Sequence, residues 1–553
     1  MKKAFFCVCL FWYSVNIFCQ IIPVERNPSI EIRNILESTD GEEAVVIRDL
    51  QLSQYDQLLE FYSKRGFEAV WTKNKRLSSK MEELEKQIEE SKYDGFTPLD
   101  YHLTEVKSII KEFREGNREK SAFELAYIDL VFSDAYLKLA VDLYNGKVLR
   151  QALKTGWRIL QKKESLNFAE ILETAIREDK IAESFRLFWP NYQVYARMRE
   201  SLRAYYVLEE TAEKKWSKLS NGIMLKPGDT GKQIPELRDR LLFWGDIKKY
   251  EVEESEKYDS AMLKGLLKFQ GRNGLNQDGV IGPETYRAFN ESPKDLIKKV
   301  SVNLERLRWL PDTVIEDKFI IVNIANFQVD YVQQNGLDTI FSSPVIVGKK
   351  YHSTPIFNGE MSYIVFSPTW TVPSSITRGE MIPKIKKDIN YLREEHLKIL
   401  TYSGAEVDPN TIDWGKVTSK SFPYIIRQTP GLHNSLGLVK FMFPNKYNVY
   451  MHDTPAKTLF SKDIRAFSHG CIRVQKPLEL AETILAGHEG WDREKILEAM
   501  NSGKETTVML NKRIPVVVLY LTFWTDVMGN PEIRKDIYNR DEEIATALFS
   551  LRR

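Results

Sequence analysis

Cysteine is nearly missing from this sequence: 553 residues hold four, at positions 7, 9, 19 and 471. Three of them fall within the first nineteen residues, so a mature chain beginning at Gln20 keeps Cys471 alone and can close no internal disulfide. A disulfide-stapled fold is excluded, and a lone thiol in an exported chain calls for a chemical role. Charge of one sign is also absent, since 79 Lys and Arg against 77 Asp and Glu leave a net +2. That balance gives no electrostatic ground for nucleic acid or a strongly acidic partner. Long apolar runs are lacking as well. After Lys2 and Lys3 the stretch Ala4 to Cys19 is apolar apart from Ser14 and Asn16, short of the roughly 20 residues that span a bilayer. It reads as a secretory signal over 1–19 cleaved before Gln20. The alternatives are an uncleaved anchor, which would leave the chain at the inner membrane, and lipidation of Cys19, for which Asn16-Ile17-Phe18 lacks a small residue. Pro515 to Leu521 is too short to span and reads as a buried strand.

Glycine and proline are sparse from about Ile30 to Leu219, where apolar residues recur every three and four positions with charges between. A helical scaffold is expected over 30–220, without a catalytic constellation. Punctuation returns at Pro227-Gly228-Asp229, Gly231, Asp278-Gly279 and Gly282-Pro283, around two leucine-bearing helices, which marks a compact module over 225–291. A helix from Pro293 to Leu310 then leads into β-branched runs starting at Phe319. The expected class is multidomain α+β, with a predominantly β domain at 319–530, a charged helical insertion at 376–421 and a charged tail at 531–553.

The chemistry gathers at Ser468-His469-Gly470-Cys471-Ile472-Arg473-Val474 and at Tyr450-Met451-His452-Asp453-Thr454. Cys471 is the candidate nucleophile, because a thiolate is reactive and an imidazole can take its proton. His452 ends a strand-like run and could return beside Cys471 by a hairpin, so it is the candidate general base, oriented by a carbonyl or side chain at Asp453. His469 is a supporting residue whose backbone N–H is well placed and whose ring points elsewhere. Gly470 lets the backbone turn and expose N–H groups for an oxyanion. Arg473 shares a face with Cys471 if the segment is extended, and could grip a carboxylate. Zinc is a rival reading, with His452, Asp453, His469 and Cys471 as possible ligands, but neither an i, i+4 ligand pair nor a cysteine knuckle is present.

These residues resemble the active-site signature of the L,D-transpeptidase (YkuD-type) family. Trp370-Thr371-Val372-Pro373, Arg427 to Gly431 with Asn434, and Lys440 to Asn445 resemble it too. The module at 225–291 is similar to the small three-helix peptidoglycan-binding domain, and the whole to large periplasmic members with a helical scaffold. The resemblance implies a thioester on Cys471, release of D-alanine and a 3→3 cross-link between stem peptides. It implies a substrate cleft bearing Arg473, Ser468, Tyr450, Trp370 and Asn434, a cap formed by the insertion, no cofactor or metal, and acylation by carbapenems. The implied partner is peptidoglycan, as tetrapeptide donor and acceptor stem, met by a monomer in the periplasm. Hydrolysis of the same thioester, as an L,D-carboxypeptidase or a cross-link or protein-attachment hydrolase, stays open, as does a non-enzymatic wall-binding protein.

Overall fold

The computed structural model describes residues 27–550 apart from 39–44, 49, 73–75, 117–118, 151–152, 154–155, 160–165, 213–215, 221, 249–255, 312–317, 334–337 and 419–420. The expected signal, with Cys7, Cys9 and Cys19, lies outside the described residues. Among those described, no helix is long and apolar enough to cross a membrane.

The scaffold is built round Ala122–Asn145 (α1), which opens on a capping box between Ser121 and Glu124 and is buried on nearly every side, as its apolar circumference requires. Its interior carboxylates are held by hydrogen bonds. Asp129 receives the backbone N–H groups of Val70, Trp71 and Thr72 at 2.7, 3.2 and 2.9 Å, and Asp134 bonds His102 at 2.7 Å.

Two further helices join this bundle to the β domain. Gln193–Ala212 (α2) and Pro293–Arg308 (α3) contribute Met198, Leu202, Leu296, Val300 and Leu304 to the core of the β domain. Val302 and the following Trp309 point the other way, into the scaffold core. Sandwiched between two cores, α3 buries charged residues that a surface helix would leave in water. Arg308 is fully buried, donating to Glu305 at 2.5 Å, to the Tyr195 hydroxyl at 3.1 Å and to the Asp94 carbonyl. Glu305 in turn receives the Val148 N–H at 2.7 Å and the Trp309 indole at 3.2 Å. Arg308→Leu would strand the Glu305 carboxylate away from water. It is expected to cost about 3–5 kcal/mol in chemical denaturation, whereas a loss under 1 kcal/mol would mean that water replaces the guanidinium.

The small module holds three helices, Ile234–Phe243, Ser260–Arg272 and Pro283–Phe289, around Leu237, Leu266, Phe269 and Phe289. Arg534 ties it to the β domain by donating to the Arg272 carbonyl at 3.2 Å.

Eight strands of the β domain close into a ring. In chain order they are Phe319–Asn323 (β1), Gln328–Gln333 (β2), Asp338–Gly348 (β3), Phe357–Phe366 (β4), Val439–Met442 (β5), Met451–His452 (β6), Ile472–Val474 (β7) and Thr506–Leu519 (β8). The pairings run β1-β2-β3-β7-β6-β5-β4-β8 and back to β1, antiparallel except β6–β7 and β8–β1. Closure leaves no edge among these eight strands and encloses Val329, Val345, Ile364, Phe441, Met451 and Ile472.

Between β4 and β5 stands the insertion. Helical turns fill Ser374–Ile376, Thr377–Met381, Ile382–Lys387 and Tyr391–Glu394, and the chain then turns to strands. Leu397–Leu400, Glu406–Val407 and Ile425–Gln428 form a four-stranded sheet with Trp370–Thr371, over a core of its own that includes Val372, Ile385, Leu392 and Ile426. Those strands extend the insertion beyond 376–421 on both sides. The tail ends in Asp541–Phe549 (α4), whose Ile544 and Leu548 pack into the scaffold core rather than on the barrel.

Candidate active site

Strand register decides which side chains meet. In the parallel pair β6–β7, Met451 stands opposite Ile472 and His452 opposite Arg473. Side chains alternate along each strand, so Met451 and Ile472 enter the core while Tyr450, His452, Cys471 and Arg473 share the other face. The antiparallel β5 adds Lys440 opposite His452. The Tyr450 and His452 rings lie 5.7 Å apart, and the Lys440 ammonium stands 5.1 Å from the Tyr450 ring.

Cys471 is half-buried, and its thiol donates to the Asn448 carbonyl at 3.7 Å. Tyr450 reaches the sulfur through its phenol and its backbone. Burial pushes the thiol above its ordinary 9.0, against the hydrogen bonds from Tyr450 and the charges of Lys440 and Arg473. Burial and then Arg473 push His452 down to about 3. The resting pair is therefore a neutral thiol and a neutral imidazole rather than an ion pair.

His452 is 4% exposed, and its Nδ1 bonds the Asp453 carbonyl, with the Leu436 carbonyl also beside the ring. Of the two orienting groups considered at Asp453, the structure has the carbonyl in that place. The Asp453 carboxylate instead binds the N–H groups of Leu438 and Thr454 at 2.9 and 2.7 Å, and the Lys457 ammonium. The sulfur's partners are Asn448 and Tyr450 rather than the imidazole expected. An unliganded site commonly shows such looseness before substrate tightens it.

Three expected contacts are corrected. The Gly470 N–H donates to Ser468 Oγ at 3.1 Å, so it is engaged inside the loop rather than free for an oxyanion. Gly470 does make the turn, at φ +118°, with its carbonyl held by Thr354 Oγ1 at 2.9 Å. Ser468, expected in the cleft, is 2% exposed and donates to the Cys471 carbonyl at 2.5 Å, which braces the loop. Asn434 is fully buried, with its amide on the Pro368 and Thr429 carbonyls at 3.0 and 2.8 Å, where the cap joins the barrel. Tyr450, expected in the cleft, stands beside the Cys471 sulfur.

Arg473 is half-buried with its Nε unpartnered. Trp370 sits half-buried against the cap core. His469 turns its ring to the cap and bonds Glu380 at 2.6 Å. Among the described residues no three His, Cys, Asp or Glu side chains stand close enough to share an ion. Sequence reasoning did not assign roles to Asn448, Thr354, Lys440 or Glu380. Lys440 alone lay in a motif already singled out, and its place on this face follows only from the β5–β6 register.

A base that titrates at about 3 is unprotonated across the ordinary range. The rate of Cys471 acylation is thus expected to stay level from roughly pH 5 to 8 and to fall only towards pH 3. An acid limb centred near 6.5 in the mass-spectrometric rate would give His452 back its ordinary pKa. The stability that His452 contributes is complete above its unfolded pKa of about 6.5 and is lost as pH falls from there towards 3.

Comparisons with known proteins bear on all three regions. Residues 317–508 match the family described as "L,D-transpeptidase catalytic domain". Residues 56–202 match "Scaffold domain" and 230–289 "Putative peptidoglycan binding domain". A curated protein of Haemophilus influenzae with the name "Putative L,D-transpeptidase" is 36% identical over 253 residues, 46% of this chain and 50% of its own. The match thus spans about half the length of that relative.

Proposed function

We propose, from the match of residues 317–508 to the L,D-transpeptidase catalytic domain family, in one chain with matches to a scaffold domain and a peptidoglycan-binding domain, that the protein joins peptidoglycan stems by 3→3 cross-links in the periplasm. The observation that carries the proposal is the β6–β7 register, which sets Cys471, Tyr450, His452 and Arg473 on one face. His452 takes the thiol proton, and the sulfur attacks the carbonyl on the L side of the L,D bond in a tetrapeptide stem. The Cys471 N–H and the Tyr450 phenol stabilise the oxyanion. D-Alanine leaves with the proton from the imidazolium, giving a thioester. The amine of a second stem then attacks, passes its proton to His452 and releases the thiol. Arg473, with an unpartnered Nε, is suited to a stem carboxylate.

Water in place of the amine would make a carboxypeptidase with the same residues. The His469–Glu380 contact, which holds the cap against the catalytic loop, favours transfer because a covered site admits less water. Incubation of residues 20–553 with disaccharide-tetrapeptides should yield dimers that have lost one D-alanine. Tripeptide monomers alone would make the enzyme a hydrolase, and unchanged substrate would leave a wall-binding protein.

A further inference from the structure

A cavity of about 720 Å³ lies between α2 and one face of β8, β1 and β2. In the ring of eight strands β1 stands four steps from β6 in either direction, so the cavity is on the far side of the barrel from Cys471. Register defines its floor: Ile321 pairs with Asp330 and Val517, and Asn323 with Gln328 and Leu519. Tyr192 and Leu310 wall it on the scaffold side.

One rim is a preset polar chain. Arg534 donates to Glu532 at 2.7 Å and to Asn326 at 2.6 Å, Asn326 donates to Gln328 at 3.2 Å, and Gln328 donates to Asp330 at 2.8 Å. The Arg534 guanidinium lies 4.8 Å from the Trp524 ring. Among the described residues, two buried atoms in the lining have no hydrogen-bond partner: the Oγ1 of Thr525, which is 2% exposed, and the Nε of Arg197. Buried polar atoms rarely stand alone, and here they border a cavity.

The lining selects against ions, because Arg197 and Arg534 are offset by Asp330, Asp526 and Glu532. Apolar floor beside fixed amides and carboxylates suits a neutral ligand with a C–H face and many hydroxyls. The volume falls within the range of small-ligand sites. Arg534 also touches the three-helix module through the Arg272 carbonyl, so a ligand bound here would lie beside that module.

We propose that this cavity is a second saccharide site, which takes the glycan strand of peptidoglycan apart from the stem that is processed at Cys471. The proposal rests on the peptidoglycan reading above. Its test is hydrogen exchange of the full chain with tri-N-acetylchitotriose, a glycan without a stem. Saturable protection is expected over residues 323–332 and 523–534, with affinity reduced about tenfold or more by Asp330→Asn and by Arg197→Met, each at unchanged melting temperature. Protection confined to the three-helix module, or equal affinity in both variants, would overturn it. Since no acyl transfer is read, binding by a chain that forms no cross-links keeps this site and removes only the transferase reading.

Discussion

Cys471→Ala is expected to abolish acylation, with a loss of at least about 10⁴-fold, because no other group on the catalytic face can form a thioester. The fold should be untouched. Cys471 is half-buried at the mouth of the loop, Ser468 braces that loop through the Cys471 carbonyl, and Thr354 holds the Gly470 carbonyl, none of which needs the thiol. Burial keeps the thiol neutral, so replacing it strands no charge. The change in unfolding free energy should stay within about 1 kcal/mol. Intact-mass measurement after incubation with a carbapenem gives the cleanest reading: one adduct on the unaltered chain and none on the variant. An adduct on Cys471→Ala would place the nucleophile elsewhere and end the thioester mechanism.

Much of this site could be read along the chain, and the part that could not has a physical reason. Cys471 and His452 stand in short segments whose neighbours Ile472 and Met451 are strand-like, so alternation gives each its face, but the two strands pair in parallel and not by the hairpin expected. Asn434 differs from the expectation because its burial depends on the distant Pro368 carbonyl, and Ser468 because a polar residue beside a nucleophile looks the same in sequence whether it meets substrate or holds the loop. Only the tight turn at Gly470, with its N–H returned to Ser468, separates the two. The helix α3 is legible in the sequence, but its burial between two cores is not. A helix between two cores has no solvent face, so its Glu305, Arg306 and Arg308 are paired inside. The cap's strands were masked by charge, since Lys398 and Glu406 sit on exposed strand positions and pair across them at 2.8 Å.

His452→Gln is expected to reduce acylation about 10³-fold, and Tyr450→Phe about 10- to 100-fold; their difference identifies the base. Glutamine can still donate to the Asp453 carbonyl, so the local fold survives, but it cannot take a proton. Tyr450 cannot replace it, because burial and the neighbouring Cys471 push its phenol well above the ordinary value and leave it protonated. A protonated phenol gives a hydrogen bond and accepts no proton, which suits a sulfur or oxyanion gaining charge. Removing it should lower the rate without changing the level pH profile. Removing His452 should leave a residual rate that rises with pH as hydroxide takes over. Were His452→Gln to keep full activity, the proton would have to leave by His469, whose ring now faces Glu380 at 2.6 Å. Glu380→Ala would then be the damaging change, since the cap carboxylate would be orienting the base. With His452 as the base, that substitution leaves acylation of Cys471 intact.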